Sequence, residues 1–137
     1  MMHALARRLV VAGAVVSLAA CASTGHYQPA TVHGSVISPV ALPVATTAVQ
    51  IRLLDLSRTD APARLLAEQT LERPARFPAP FALIFDRGAV KAGGQYRIEV
   101  EVFVDGQLRL HNPQAVTVDL AAPDPAVTVG VSMLGGK

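Results

Sequence analysis

The sequence predicts an all-β protein: a single small β-sandwich of roughly seven to eight antiparallel strands, preceded by a signal peptide and a flexible tether. Three observations predict it. Apolar and polar residues alternate with period 2 in several separate stretches, most clearly from Tyr96 to Val104. Turn chemistry punctuates them: Ser38-Pro39, Ser57 through Pro62, Asp105-Gly106, Asn112-Pro113 and Pro123-Asp124-Pro125. Val, Ile and Leu dominate the apolar content and Trp is absent, a composition that suits sheets better than a helical bundle. The implied divisions are 1–20 for the signal, 21–30 for a modified cysteine and tether, and 31–137 for the sandwich.

The leader comes first in the chain. Arg7 and Arg8 form a positive region, Leu9 to Leu18 an apolar one, and Ala19-Ala20 supply small residues before a cleavage point. The apolar run is too short for a transmembrane anchor, which needs roughly 20 such residues. Leu18-Ala19-Ala20-Cys21 resembles the lipobox of bacterial lipoproteins. That resemblance implies diacylglycerol on the Cys21 sulfur, cleavage just before Cys21, and acylation of the new amino terminus. Cys21 is the only cysteine of the chain.

Removing the first 20 of 137 residues leaves 117, enough for one domain with a real core and not for two. The formal charge of +2 arises from 12 basic and 10 acidic residues, and Arg7 and Arg8 lie in the leader. The mature chain is therefore neutral with mixed signs, which disfavours a nucleic-acid partner. With its sole cysteine reserved for lipid, the domain has no disulfide, so burial must stabilise it.

Residues 22–30 are small or polar without periodicity and read as a tether. Nine extended residues reach about 30 Å. Ala22 stands where an aspartate would signal inner-membrane retention in enterobacterial lipoproteins, which points to the outer membrane. Val32, Gly34 and Val36 alternate with His33 and Ser35 to give a first strand. Val49, Ile51 and Leu53 give a second, and the change of parity at Leu54 and Leu56 predicts a bulge near Leu53-Leu54. Leu65 to Leu71 alternates and is flanked by Pro62 and Pro74, so a strand is preferred over a short helix. Phe81 to Phe85 is apolar on both parities and predicts an inner strand covered on both faces.

Tyr96, Ile98, Val100, Val102 and Val104 share one face of the clearest strand, with Arg97, Glu99, Glu101 and Phe103 on the other. Asp105-Gly106 is the dipeptide of a type I′ hairpin. Gln107 to Leu110 returns. Val116, Val118 and Leu120 make a further strand, and Val127 to Met133 the last.

Candidate chemistry is sparse. His3, His26, His33 and His111 show no metal-ligand spacing, so no metal site and no cofactor is expected; His33 and His111 read as solvated strand residues. Glu99 and Glu101 lie on one face with Arg97 and read as strand surface; a glycosidase pair would sit across a cleft. No G-x-S-x-G elbow, P-loop or dinucleotide fingerprint occurs, and no catalytic residue is assigned. Asp55, Ser57, Arg58 and Asp60 form the densest polar cluster. They are the candidate recognition loop, or else a turn held by side-chain-to-backbone bonds. Phe103, alone on a charged face, packs under a loop or belongs to a contact surface.

A set of segments carries a wider resemblance: Val32 to Val36, Leu42-Pro43, Val49 through Pro62, Ala67 to Thr70, Pro78 to Phe81, Phe85-Asp86, and Tyr96 through Leu108. In that order they resemble the YbaY/YscW-type lipoproteins, with Leu53-Leu54-Asp55-Leu56-Ser57-Arg58-Thr59-Asp60-Ala61-Pro62 the most specific piece. The resemblance covers about Val32 to Val131 and is closer to the YbaY-like members. It implies a β-sandwich anchored by lipid on Cys21, facing the periplasm from the outer membrane. It further implies a non-catalytic binding or chaperone module, pilotin-like, whose partner is a secretin or other envelope protein. Two alternatives stand beside it: a structural envelope lipoprotein without a specific partner, and a protein acting on envelope polysaccharide.

Overall fold

The computed structural model describes residues 25–135, all in one layered all-β unit of two sheets and nine strands. The strands are β1 (Pro29–Ile37), β2 (Thr47–Asp55), β3 (Arg64–Glu72), β4 (Ala79–Asp86), β5 (Tyr96–Val104), β6 (Gln107–His111), β7 (Val116–Thr117), β8 (Ala126–Gly130) and β9 (Ser132–Met133). Helix is limited to two single 3₁₀ turns, Val44–Thr46 and Arg87–Ala89. One sheet has the order β4-β1-β8; the other runs β3-β2-β5-β6-β9, with β7 pairing further along β5.

The period-2 pattern places the core. Val49, Ile51 and Leu53 of β2 and Ile98, Val100 and Val102 of β5 are fully buried and meet Val32 and Val36 of β1, Leu83 and Phe85 of β4, and Val129 of β8. Each such side chain contributes about 1.5–3 kcal/mol relative to exposure, so this interior dominates the stability of a disulfide-free domain. The hairpin between β5 and β6 has the predicted geometry. Asp105 and Gly106 both adopt positive φ, 53° and 75°, as a type I′ turn demands.

Five strand expectations are corrected. β1 begins at Pro29, where Pro29 and Ala30 pair with Asp86 and Phe85, so the ordered ladder starts inside the expected tether. The irregularity opposite Leu53 and Leu54 exists, but the extra residue is Leu66 on β3: Leu53 pairs with Ala67 and Leu54 with Leu65. β2 stays in phase against β5, so Leu54 lies on the outer face and is nevertheless only 9% exposed, whereas Leu65 is 51% exposed. β4 is an edge strand with one covered face: Phe81, Leu83 and Phe85 turn inward while Ile84 is 60% exposed. Apolar residues on both parities permitted double cover but could not supply a second layer.

The remaining two corrections concern the C-terminal third. The strand expected at Val116–Leu120 is reduced to Val116–Thr117, although Val118 and Leu120 are still buried. The segment expected as one strand from Val127 to Met133 is β8 and β9, in different sheets. Val131 is buried at the crossing, and its N–H donates to Ile37 O at 3.0 Å. β8 runs parallel to β1, with His33 opposite Ala126 and Ile37 opposite Gly130, so the sandwich is not wholly antiparallel. The chain has already left the larger sheet after β7 and joins the smaller one from its far side.

Asn112 explains how one edge of β5 serves two short strands. Its backbone N–H reaches Val100 O at 3.2 Å. Its side-chain Oδ1 accepts from Val100 N–H at 2.7 Å, and Nδ2 donates to Ile98 O at 3.1 Å. The carboxamide thus replaces a ladder residue where Pro113 could not donate.

Candidate functional site

The two ends of the sandwich are built from different connections. One end holds the start of β1, the end of β2, the start of β3 and the end of β4; the chain enters here. The opposite end holds the β1–β2 connection, the β3–β4 connection and the Asp105-Gly106 turn. β1 spans nine residues, so the ends are separated by about 30 Å.

The expected recognition loop lies at the entry end. Asp55 Oδ1 accepts from Ser57 N–H at 2.9 Å, and Oδ2 accepts from Arg64 at 3.2 Å. Ser57 Oγ accepts from Gln95 N–H at 3.0 Å, while Leu56 N–H donates to Gln95 O at 2.8 Å. Hydrogen bonding from the Ser57 side chain, aided by its N–H and by Arg64, holds the Asp55 carboxyl below its ordinary pKa against an opposing effect of burial. Asp55 and Ser57 therefore fasten the β2–β3 turn to Gln95, in the connection just before β5. Arg58 and Asp60 make only an exposed ion pair, 3.8 Å long, at the turn's tip. The four residues form a partly polar hollow of about 320 Å³ only in part: Asp55, Ser57 and Arg58 line it with Arg64 and Lys91, and Asp60 does not.

The far end mixes aliphatic and proline side chains with polar groups. A groove of about 410 Å³ runs between Ser38–Leu42 and Val44 on one side and Pro74–Phe77 on the other, with Thr47 at its base. A second hollow of about 380 Å³ shares Pro74, Ala75 and Arg76 and continues over Leu71, Ala79 and Pro80. Phe103 joins this end, beside Thr46, Ala48, Arg73 and Gly106 in a third hollow of about 420 Å³. Ile37, Val40 and Val44 are exposed nearby.

The walls are fixed by local bonds. Thr47 is buried and its hydroxyl donates to Pro43 O at 2.7 Å; its carbonyl accepts from Arg73 N–H at 2.9 Å. Ser38 Oγ donates to Val40 O at 2.7 Å, and Asp105 N–H donates to Thr46 O at 3.0 Å. Such a groove keeps its shape without a ligand, which lowers the ordering cost of binding. Arg76 lines both hollows and supplies the polar group for orientation.

Sequence reasoning missed this groove. Its signal was the set of prolines at 39, 43, 74, 78 and 80, in two connections whose adjacency depends on β2 pairing with β3.

The outer face of the larger sheet is an ion-pair surface. Arg52 contacts both Glu99 and Glu101 at 3.3 Å, and Arg97 donates to Glu99 at 2.6 Å. Arg97 Nε is shielded without a hydrogen-bond partner among the described residues. The two glutamates share an arginine on one face and do not oppose each other across a cleft. His33 is exposed and His111 half-buried on their strands, and among the described residues no three His, Cys, Asp or Glu cluster as a metal site. Leu18, Ala19, Ala20 and Cys21 lie outside the described residues.

Fold and surfaces together define a small β-sandwich domain with an ion-paired sheet face and a preformed groove of mixed lining remote from its chain entry. The chain belongs to the YscW family, the type III secretion system lipoprotein chaperones, whose family model matches residues 27–129. Its fold is similar to that of an alternative pilotin from the type II secretion system of Vibrio cholerae. That likeness has a TM-score of 0.69 and 28% identity, and covers 80% of this chain and 100% of the pilotin's. No curated protein matches the sequence.

Proposed function

We propose that this protein is an outer-membrane lipoprotein, anchored through acylated Cys21 and facing the periplasm, that acts as a non-catalytic, pilotin-like chaperone of a secretin. The observation that carries the reading is the groove between the β1–β2 and β3–β4 connections, where Val40, Leu42 and Phe77 stand beside Ser38, Thr47 and Arg76 at the end opposite the chain entry. The tether emerges before Pro29, at the end away from the groove, and so leaves the groove open to the periplasm. Membership of a secretion chaperone family and likeness to a pilotin support a protein segment as the occupant. The groove's composition adds that the segment is amphipathic, with apolar residues for the Val40, Leu42 and Phe77 walls and an acidic residue for Arg76.

Two acyl attachments make membrane residence lasting, since each buried CH₂ contributes about 0.8 kcal/mol. The test joins anchor and groove. Cys21→Ser is expected to abolish incorporation of labelled palmitate and to leave secretin subunits unassembled or in the inner membrane. Val40→Asp should keep the label and lose the secretin. If Cys21→Ser is still labelled, or the secretin multimer forms normally without this protein, the reading is wrong. A normal secretin with altered envelope permeability would favour the structural-lipoprotein alternative.

A further inference from the structure

Among the described residues the edge strands β3, β4, β7 and β9 are protected against pairing with another strand, and β8 is not. β3 carries Arg64, Glu68 and Glu72 and a bulge at Leu66. β4 faces β3, where Ala82 N–H is taken by the Gln69 side chain at 2.9 Å. β7 and β9 have only two residues each. These are the devices by which sheets avoid edge-to-edge association. β8, Ala126–Gly130, has none of them: it is uncharged, unbulged and five residues long, and among the described residues only β1 pairs with it.

The register says which groups are free. His33 N–H donates to Pro125 O at 3.1 Å and Val131 N–H to Ile37 O at 3.0 Å, so the odd-numbered residues of this segment turn their backbone groups toward β1. Backbone groups alternate in direction along a strand. Ala126, Thr128 and Gly130 therefore direct N–H and C=O outward, and all three residues are exposed. An antiparallel strand needs donors and acceptors at that two-residue spacing.

We propose that the occupant is β8 of a second copy of this chain, paired antiparallel about a two-fold axis at Thr128. In this register Thr128 faces Thr128 of the second copy, and Ala126 faces its Gly130. Every outward donor then meets an outward acceptor, and the pairing is self-complementary. Threonine opposite threonine is a favourable cross-strand pair. Charge does not oppose the approach: neither β8 nor β1 from Thr31 to Ile37 carries an Asp, Glu, Lys or Arg. The two copies point their chain entries in opposite directions, and the residues between Cys21 and Pro29 reach about 25 Å. That lets both anchors enter one membrane with the strands lying along it. So small a contact lies at the weak end of interfaces, so the pairing depends on local concentration at the membrane.

The test uses the full chain in its own envelope. Directly opposed residues of this kind have Cα atoms about 5.5 Å apart, within disulfide range. Thr128→Cys, oxidised with copper phenanthroline, is expected to give a reducible species of twice the chain's mass. The parent chain and Asp124→Cys should stay monomeric. Thr128→Cys with Gly130→Pro, which removes an outward N–H not used by β1, should lose at least ten-fold of the dimer. If Thr128→Cys does not accumulate, co-expressed Ala126→Cys and Gly130→Cys chains report the same register. A monomeric Thr128→Cys, equal cross-linking by Asp124→Cys, or a product containing a different protein would each overturn the proposal. The secretin readout is independent, so this dimer can fail while the chaperone function stands.

Discussion

Gly34 sits on the inward side of β1 between the fully buried Val32 and Val36, and its missing side chain is the space the Phe81 ring occupies. A Cβ at Gly34 would overlap Phe81 Cζ, lie 2.8 Å from Cε1, and lie 2.6 Å from the Val127 carbonyl oxygen. The ring could turn aside. The carbonyl cannot, because Val127 belongs to β8 and is held in register opposite Gly34. Relief therefore requires β1 and β8 to separate or Phe81 to leave the core. Overpacking of this kind costs about 1–3 kcal/mol, and a backbone obstacle puts Gly34→Ala at the upper end, about 3 kcal/mol. Phe81→Leu in the same chain should recover part of that loss, the ring's share, and leave the carbonyl's share. Gly130→Ala is the matched control in the same sheet: nothing lies within 4 Å of its added methyl, so its effect should be near zero. Urea unfolding of the mature domain reads the difference directly. With a slope of about 1–3 kcal/mol per molar, the Gly34→Ala midpoint should fall by about 1–3 M. A Gly34→Ala midpoint equal to that of Gly130→Ala would refute the packing argument.

Two further outcomes follow from polar groups that hold the frame. Asn112→Ala leaves Val100 N–H unpaired in a buried strand, while Ile98 O keeps its ladder partner Val116, and should lower unfolding free energy by about 1–3 kcal/mol; hydrogen exchange should accelerate at Val100 first. Asp55 has a folded-state pKa below its ordinary value, so its contribution is full above the unfolded value of about 3.9 and disappears as pH falls through the folded one. Thermal unfolding from pH 6 to pH 2 should show the wild type losing more stability than Asp55→Asn in that acid window. Parallel curves would mean that Arg64 and Ser57 do not stabilise the carboxylate.

The strands were legible because burial on one side of a two-layer structure imposes period 2, and β2, β3 and β5 carry that pattern plainly. The Asp105-Gly106 turn was legible for a stricter reason: few other dipeptides accept positive φ twice. Failures occurred where two physical situations share one pattern. Phe81 to Phe85 suits an inner strand and an edge strand equally, since an apolar outer face records no neighbour. The polar stretch Asp55 to Asp60 suits a recognition loop and a self-bonded turn equally, and only the bonds from Gln95 and to Arg64 separate them. Val127 to Met133 alternates without interruption, yet it changes sheets at Val131, because alternation specifies which side is buried and not which strand is adjacent.

By itself, then, the sequence determined an all-β domain of one core and the family to which it belongs. These rest on local properties: a side-chain period, a turn dipeptide. The tertiary structure decided what depends on neighbours far apart in the chain. It brought residues 38–47 and 74–80 together as a groove because β2 pairs with β3, and it set that groove at the end away from the chain entry. It also made β8 a parallel edge with its outward groups unpaired, a consequence of strand order that no single stretch of residues contains.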